Sequence, residues 1–224
     1  MGWYRWPGWY LTGVVRVLGI LVLVDVVMGP TLTLIVASPG KARRALRRDI
    51  GIIIALQLVA LVYGSITLWI GRPLYYTFSF DRLETVQASD LSADEIALAR
   101  QQNPPFAPHW YSRPRWVWAA LPPDPEAANK IVTASIFGGT DVIDMPRYFK
   151  PWEAGLPKLR DQLKQLDQIK YLGGAEKASL RTRIRRLGLQ PDEANAIILW
   201  GVSTRLLAVF DLKTLRIAAI LRVN

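Results

Sequence analysis

The sequence of 224 residues contains no cysteine and a single histidine, His109. Without cysteine the chain has no disulfide framework, no thiolate nucleophile and no cysteine-ligated metal. One histidine without an acidic cluster at ligand spacing does not form a metal site. The sequence also lacks a Walker loop and a G-x-G-x-x-G segment after a strand. We therefore expect a protein that is not an enzyme and that needs no cofactor or metal.

Two acidic residues near a basic residue are the pattern in this sequence that most resembles a catalytic pair. Asp141 and Asp144 lie a few residues before Arg147. They could form a paired-acid site or a cluster of charges that stabilises a loop, and we favour the loop cluster. A membrane enzyme would instead need a polar cleft with perturbed ionisable groups around Asp141, Asp144 and His109.

Charged residues are almost missing from residues 14–36 and 50–70. At 1.5 Å per residue, 23 and 21 helical residues each suffice to cross about 30 Å of hydrocarbon. A cleaved signal peptide would have a shorter apolar core, and the first run leads into positive charge rather than a mature domain. We therefore predict a membrane helical hairpin in residues 1–72 and a separate domain in residues 73–224.

The connector between the two apolar runs is strongly basic. It contains one acid, Asp49, and five basic residues, Lys41, Arg43, Arg44, Arg47 and Arg48. The positive-inside rule predicts a cytoplasmic connector, with both termini outside. The connector and one helix account for most of the net charge of +10, so nucleic acid is not expected as a partner. Aromatic residues flank the runs and are interpreted as an interfacial belt: Trp3, Trp6, Trp9, Tyr10, Trp69, Tyr75 and Tyr76.

Asp25 lies at the middle of the first apolar run. A carboxylate at this depth must find a partner or remain protonated. Gln57 or Tyr63 of the second run could bond to it, and a third membrane helix could contact it instead. Pro30, which follows Gly29, predicts a kink. On the second run Gln57, Ala60 and Gly64 share one face, whose small residues allow close approach of another helix.

Residues 73–224 read as a mixture of strands and helices. We predict a strand over 74–80, a helix with a Ser92/Glu95 capping box, and a second helix from Asp124-Pro125 to Gly138-Gly139. A Pro/Trp-rich stretch over 104–125 is an ordered loop or an edge strand. An amphipathic helix is predicted over 156–172 and another before Gly188, with a terminal hairpin over 204–210 and 215–223. The fold class is therefore an α+β domain, with a small antiparallel sheet and helices on one side.

The helix before Gly188 has a basic face. Its members are Lys177, Arg181, Arg183, Arg185 and Arg186. A solvated polar face is one interpretation, and binding of anionic lipid headgroups or an acidic partner is the other. The second interpretation makes the chain a membrane-anchored module that binds lipid or the cell envelope.

Several stretches, in order and across nearly the whole chain, resemble the TfpX/TfpZ family of type IV pilin accessory proteins. They include residues 25–34, 39–41, 56–64, 72–75, 78–86, 88–91, 121–126, 145–149 and 209–211. The family usually begins with a further membrane helix ahead of Trp6-Pro7-Gly8-Trp9. We expect either that this version lacks the helix or that the protein starts further upstream.

The resemblance implies a multi-pass protein of the bacterial inner membrane that acts without enzymatic activity and helps type IV pilin subunits to be stable or to assemble. Its partners would be a type IV pilin subunit and membrane lipids, and both termini would be periplasmic. On this hypothesis the helix pair receives the membrane helix of the pilin. The residues predicted to contact that helix are Asp25, Gly29, Pro30, Gln57, Ala60 and Gly64.

Overall fold

The computed structural model describes residues 2–36, 42–192 and 194–223, which divide into two compact units. The first unit, the helix pair, covers residues 13–72. The second, the sheet unit, combines the residues up to 12 with those from 73 onward. Residues 2–12, here called the N-terminal segment, contain the short helix α1 (Gly8–Leu11). The sequence assigned this segment to the membrane hairpin, whereas it packs in the sheet unit.

The helix pair consists of two apolar helices. The first, Val14–Val36, is built from α2 (Val14–Val22), a π-helical turn (Leu23–Met28) and α3 (Gly29–Val36), and the second is α4 (Arg43–Ile70). Both are long and apolar enough to cross a membrane. Only 6% and 11% of their most apolar windows are buried, so neither is the core helix of a folded domain. The predicted connector residues 39–41, including Lys41, lie outside the described residues.

The strands of the described residues form one mixed sheet, in the order β4-β3-β1-β2-β6-β7-β8, with β5 paired to β6. The strands are β1 (Pro73–Ser79), β2 (Arg82–Gln87), β3 (Arg115–Ala119), β4 (Phe149–Pro151), β5 (Lys164–Gln165), β6 (Asn195–Trp200), β7 (Arg205–Phe210) and β8 (Ile217–Arg222). β1 and β3 are parallel, as are β2 and β6, and the other pairs are antiparallel. The expectation of a small antiparallel sheet was wrong, because parallel pairs join strands separated by long crossovers, which short-range patterns do not reveal.

The helices of the sheet unit follow several of the predicted signals. They are α5 (Ala93–Gln102), α6 (Pro125–Ile136), α7 (Trp152–Gln162) and α8 (Gly174–Arg186), with short 3₁₀ turns at Ala88–Asp90, Pro104–Phe106, Val142–Asp144, Pro146–Tyr148 and Leu166–Gln168. Ser92 caps α5 by accepting a hydrogen bond from the Glu95 N–H, which is one half of the predicted capping box, while the Glu95 carboxylate pairs with Arg147. Asp124 caps α6 in the same way. Gly188, with φ of 75°, follows the end of α8.

The predicted helix over 156–172 was wrong. α7 ends at Gln162, and Lys164–Gln165 then pairs with β6 as a short strand. The apolar stripe that suggested one helix is divided between two clusters. Leu159 packs in one core cluster, and Leu166 and Ile169 pack in another. Apolar residues with a helical spacing therefore pack into two separate core clusters.

The strand β1 is central and buried on both faces. Tyr75 makes an edge-to-face contact with Phe149, and Tyr76 lies against Trp116 with the ring centroids 4.6 Å apart. Both tyrosines are less than 6% exposed. They are therefore core residues of the sheet unit, and their predicted place in an interfacial belt was wrong.

Candidate functional site

The two apolar helices contact each other through glycines. A Cβ at Gly64 would lie 2.8 Å from Cγ of Leu21, and a Cβ at Gly29 would lie 3.0 Å from Cδ of Gln57. Both separations are shorter than ordinary carbon contacts, so a side chain at either glycine would require Leu21 or Gln57 to move. The small-residue face predicted for the second helix is thus used within the pair.

The π-helical turn explains the role of Gln57. The Gly29 N–H donates to the Val24 carbonyl, five residues back. The Asp25 carbonyl would then require the N–H of residue 30, which is proline and has none. Gln57 donates its side-chain amide to this carbonyl, with an Nε2 to O distance of 3.4 Å. A backbone carbonyl in apolar surroundings needs a hydrogen-bond donor, so Gln57 supplies the donor that Pro30 lacks.

The side-chain carboxyl group of Asp25 takes no part in this arrangement. The sequence suggested that Gln57 or Tyr63 could bond to it, but Gln57 is directed to the main chain and Tyr63 is exposed. Among residues 2–36, 42–192 and 194–223, no hydrogen bond or ion pair to this carboxylate occurs. Asp25 is half-buried, Ala60 is half-buried and Pro30 is exposed. Of the residues predicted to contact a pilin helix, Gly29, Gln57, Gly64 and the main chain of Asp25 thus take part in the contact within the pair.

The basic face of α8 is largely occupied by contacts within the sheet unit. Arg181 forms an ion pair with Asp167, and Lys177 donates to the Asp167 carbonyl at 2.7 Å. Arg183 donates to the Arg222 carbonyl at 2.8 Å. Arg185 and Arg186 are exposed. Three of the five basic side chains therefore make contacts within the sheet unit. The face is for this reason a weaker candidate for lipid binding than its five charges suggested.

The N-terminal segment is fixed to the hairpin of β6 and β7. The Val202 N–H donates to the Leu11 carbonyl at 3.0 Å, and the Thr204 hydroxyl donates to the Tyr10 carbonyl at 2.9 Å. Leu11 is fully buried in the same core cluster as residues of four strands. A Cβ on Gly201 would lie 2.8 Å from Cα of Leu11, so the backbones approach closely. No sequence signal indicated this contact between residues almost 200 positions apart.

The aromatic residues of the N-terminal segment surround an arginine of the last strand. The guanidinium of Arg222 lies 5.6, 5.0 and 4.8 Å from the ring centroids of Trp6, Trp9 and Tyr10. Such cation–π contacts are worth about 0.5–1 kcal/mol each at exposed sites. These aromatics, predicted as interfacial anchors, therefore also join the N-terminal segment to β8.

A charged cluster lies beside β2. Arg82 forms ion pairs with Asp141 and, at 3.5 Å, with Glu84. The pKa of Asp144 is raised from 3.8 to about 7, mainly because the group is buried and also because Asp90, Asp141 and Glu84 carry like charge. Burial likewise raises the pKa of Glu84. Glu84, Asp90 and Asp144 line a polar cavity of about 420 Å³.

This cluster differs from the one suggested by the sequence. Arg147 pairs with Glu95 at 3.2 Å, and Arg82 takes its place beside Asp141, which also caps the turn Val142–Asp144. The imidazole of His109 stacks on Tyr111, with 5.3 Å between the centroids, and does not line the cavity. In the described part of the chain, no group of three or more His, Asp or Glu side chains is placed to hold a metal ion. Glu84, Asp90 and Asp144 therefore share one cavity, which Thr85 also lines and Arg147 does not.

Comparison with known proteins gives matches to fimbrial assembly proteins of Dichelobacter nodosus. The chain is 26% identical over 196 residues to the fimbrial assembly protein of serogroup I and to that of serogroup E1, covering 86% of this chain and 74% of each relative. It is 30% identical over 97 residues to the protein of serogroups C1 and C2, covering 43% of this chain and 74% of that relative. No protein-family model matches the chain. No solved structure matches it significantly. By these similarities the chain belongs to the family of fimbrial assembly proteins.

Proposed function

We propose that this protein is an accessory, chaperone-like factor of the bacterial inner membrane that supports the stability of a type IV pilin or its assembly into the pilus. The names of its relatives support a role in pilus assembly. The resemblance to TfpX/TfpZ proteins supports the more specific role and the pilin partner. The polar cavity with raised pKa values is compatible with a structural cluster, and we propose that the protein acts by binding.

The observation that carries the membrane part of the proposal is the folding of the N-terminal segment into the sheet unit. Residues 2–12 precede the first apolar helix and residues from 73 onward follow the second, yet both belong to one compact unit. This arrangement supports a topology in which both outer ends of the helix pair lie on the same side of the membrane. An even number of crossings gives such a topology, as two spanning helices do.

The charge distribution supports an orientation. Arg43, Arg44, Arg47 and Arg48 lie in the first turns of the second apolar helix, at the connector end. Basic residues next to membrane helices favour the cytoplasmic side. The sheet unit would then be periplasmic, where it could meet the soluble part of a pilin.

Topology can be tested directly because the chain has no cysteine. Single variants Ala42→Cys, at the connector, and Thr140→Cys, exposed in the sheet unit, would be treated with a membrane-impermeant maleimide in spheroplasts. We expect labelling of Thr140→Cys in intact spheroplasts and of Ala42→Cys only after permeabilisation. The opposite pattern would overturn the orientation.

The role is tested by deletion and complementation. We expect that loss of the gene lowers the pilin level or surface piliation and that the full chain restores both. Unchanged pilin and unchanged pili in the deletion strain would refute the proposed function.

A further inference from the structure

The chain leaves the sheet unit for the apolar helices at two points, and both lie at one end of the sheet. The second apolar helix ends at Ile70, and β1 begins three residues later at Pro73. The N-terminal segment packs against this start of β1, because a Cβ at Gly8 would lie 3.1 Å from Cγ of Pro73. Three residues span at most about 11 Å. If the apolar helices cross a membrane, this end of the sheet therefore lies in or next to the headgroup layer, which is about 5–8 Å thick on each side.

The loop of residues 107–114 lies at the same end of the sheet. β3 runs parallel to β1 with Arg115 beside Tyr75, so the residues that precede β3 are on the side of the sheet from which β1 starts. The residue before the loop is held near the same level, because the Tyr75 hydroxyl donates to the Phe106 carbonyl at 2.7 Å. The loop therefore both leaves and rejoins the domain at the end where the chain passes to the apolar helices.

The tip of this loop is a closed turn, residues 109–112, here called the aromatic turn. The Ser112 N–H donates to the His109 carbonyl at 3.1 Å, and the His109 N–H donates to the Ser112 hydroxyl at 2.8 Å. Between these residues, Trp110 and Tyr111 are 69% and 59% exposed, with 5.5 Å between their ring centroids. Ala107 is buried, so the loop is anchored at its base and exposes two aromatic rings at its tip.

We infer that Trp110 and Tyr111 insert into the headgroup layer of the membrane that the apolar helices cross and hold this end of the sheet unit against the lipid. This inference rests on the membrane location given under the proposed function and extends it from the helices to the sheet unit. Trp and Tyr suit this layer because each has an apolar ring and a polar N–H or O–H that reaches water or headgroups.

Exposed apolar side chains of other segments share this end of the sheet. Trp6 of the N-terminal segment is exposed, and so is Val202, whose N–H donates to the Leu11 carbonyl. Together with the aromatic turn, they come from three separate parts of the chain. A lipid surface contacts such side chains at once because it is extended, whereas a protein segment would need a groove between them. This arrangement favours lipid as the occupant.

The test uses the absence of native cysteine. Single variants Trp110→Cys and Tyr111→Cys of the full chain would each carry a bimane probe and be reconstituted, without pilin, in vesicles of phosphatidylethanolamine and phosphatidylglycerol. The vesicles contain lipids with a nitroxide quencher at the headgroup or at the start of the acyl chain. We expect both probes to lose fluorescence relative to vesicles without nitroxide. Each variant keeps the other aromatic residue, so the turn retains part of its contact.

Two further positions serve as controls. Phe80 is also an exposed aromatic residue, at 52%, but it follows β1 at the opposite end. Seven strand residues separate the two ends of β1 by about 20 Å, so a probe at Phe80→Cys should keep its fluorescence. Val59 is exposed within the second apolar helix, and a probe at Val59→Cys should be quenched by nitroxides deeper in the acyl chain.

The outcomes separate this inference from the proposals on which it rests. Quenching at Val59 without quenching at Trp110 and Tyr111, or equal quenching at Phe80 and Tyr111, would overturn the inference and leave the membrane crossing intact. Absence of quenching at Val59 would overturn the crossing and this inference together. Probes on the aromatic turn that become shielded only when pilin is added would identify a protein-binding surface and overturn the lipid contact. A failure of the role in pilus assembly would appear in the deletion strain, independently of the probe measurements.

Discussion

The carboxyl group of Asp144 contributes to the pH dependence of the stability of the sheet unit, and Asp144→Asn removes this contribution. The group has a pKa of about 7 in the folded protein against an ordinary value of 3.8. Its proton is therefore held more tightly by the folded state. The stabilisation that this proton provides is complete below pH 3.8 and is lost as the pH rises through about 7.

The size of the effect follows from the pKa difference. The change from 3.8 to about 7 corresponds to roughly 4 kcal/mol between the charged and neutral forms. Asp144 is partly exposed, and solvent screening reduces this value, so we expect about 2 kcal/mol. For a domain of this size, 2 kcal/mol corresponds to a change in the midpoint of thermal unfolding of about 4–8 °C.

The assay is thermal unfolding of the full chain in detergent, followed by tryptophan fluorescence between pH 5 and pH 8. The wild-type midpoint should fall from pH 5 to about pH 7 and become level above that pH. Among the charges that act on Asp144, only that of Arg82 opposes the repulsion from the neighbouring acids. Asp144→Asn should be more stable than the wild type at pH 8 and should show a shallower dependence on pH.

Asp211→Asn serves as a control of opposite sign. Hydrogen bonds from Lys213 and Thr214 hold the pKa of Asp211 below its ordinary value. Its stabilisation is present above pH 3.8 and is lost only at lower pH, so the variant should be less stable throughout pH 5–8, with an unchanged slope. If Asp144→Asn were less stable than the wild type at pH 8, the charged carboxylate would be favoured and the reasoning refuted.

Three further predictions concern close backbone approach and turn geometry. Gly201→Ala should release the N-terminal segment, because the added Cβ would collide with the Leu11 backbone. We expect the free energy of unfolding to fall by about 1–3 kcal/mol and Arg5 to become accessible to trypsin. Gly174→Ala, whose Cβ would meet open space, should have neither effect. Gly64→Val should force the two apolar helices apart and lower the unfolding midpoint of the full chain in detergent; Gly51, which faces open space, should accept valine without loss. Leu215 has a φ of 52°, so replacement by glycine should stabilise the turn between β7 and β8 by up to about 1 kcal/mol, and a drop in the unfolding midpoint would contradict this.

The elements that the sequence predicted correctly have local causes. Ser92 and Asp124 begin their helices because their oxygens accept from an N–H three residues later, and Gly188 follows the end of α8 because it adopts a positive φ. The two apolar helices follow from composition and length alone. The hairpin of β7 and β8 follows from two short apolar runs on either side of a short turn.

The elements that the sequence missed depend on distant partners. β6 has a short, continuously apolar sequence, and its place between β2 and β7 is set by strands separated from β2 by more than 100 residues. The leucines over 156–172 have a helical spacing, but β5 forms among them because β6 offers an edge. Local patterns cannot distinguish these outcomes, since the deciding hydrogen bonds are not local.

For the candidate sites, the sequence by itself determined the chemistry, and the tertiary structure decided the partners. An aspartate at the centre of an apolar run, a proline after a glycine and a small-residue face were all visible in the sequence. Only the folded pair shows that Gln57 is directed to a backbone carbonyl and that the glycines serve its own interface. Likewise, only the fold brings Leu11 to Gly201 and Asp141 to Arg82. The physical reason is that residue type fixes what a side chain can bond to, whereas distance between side chains is set by the packing of elements far apart in the chain.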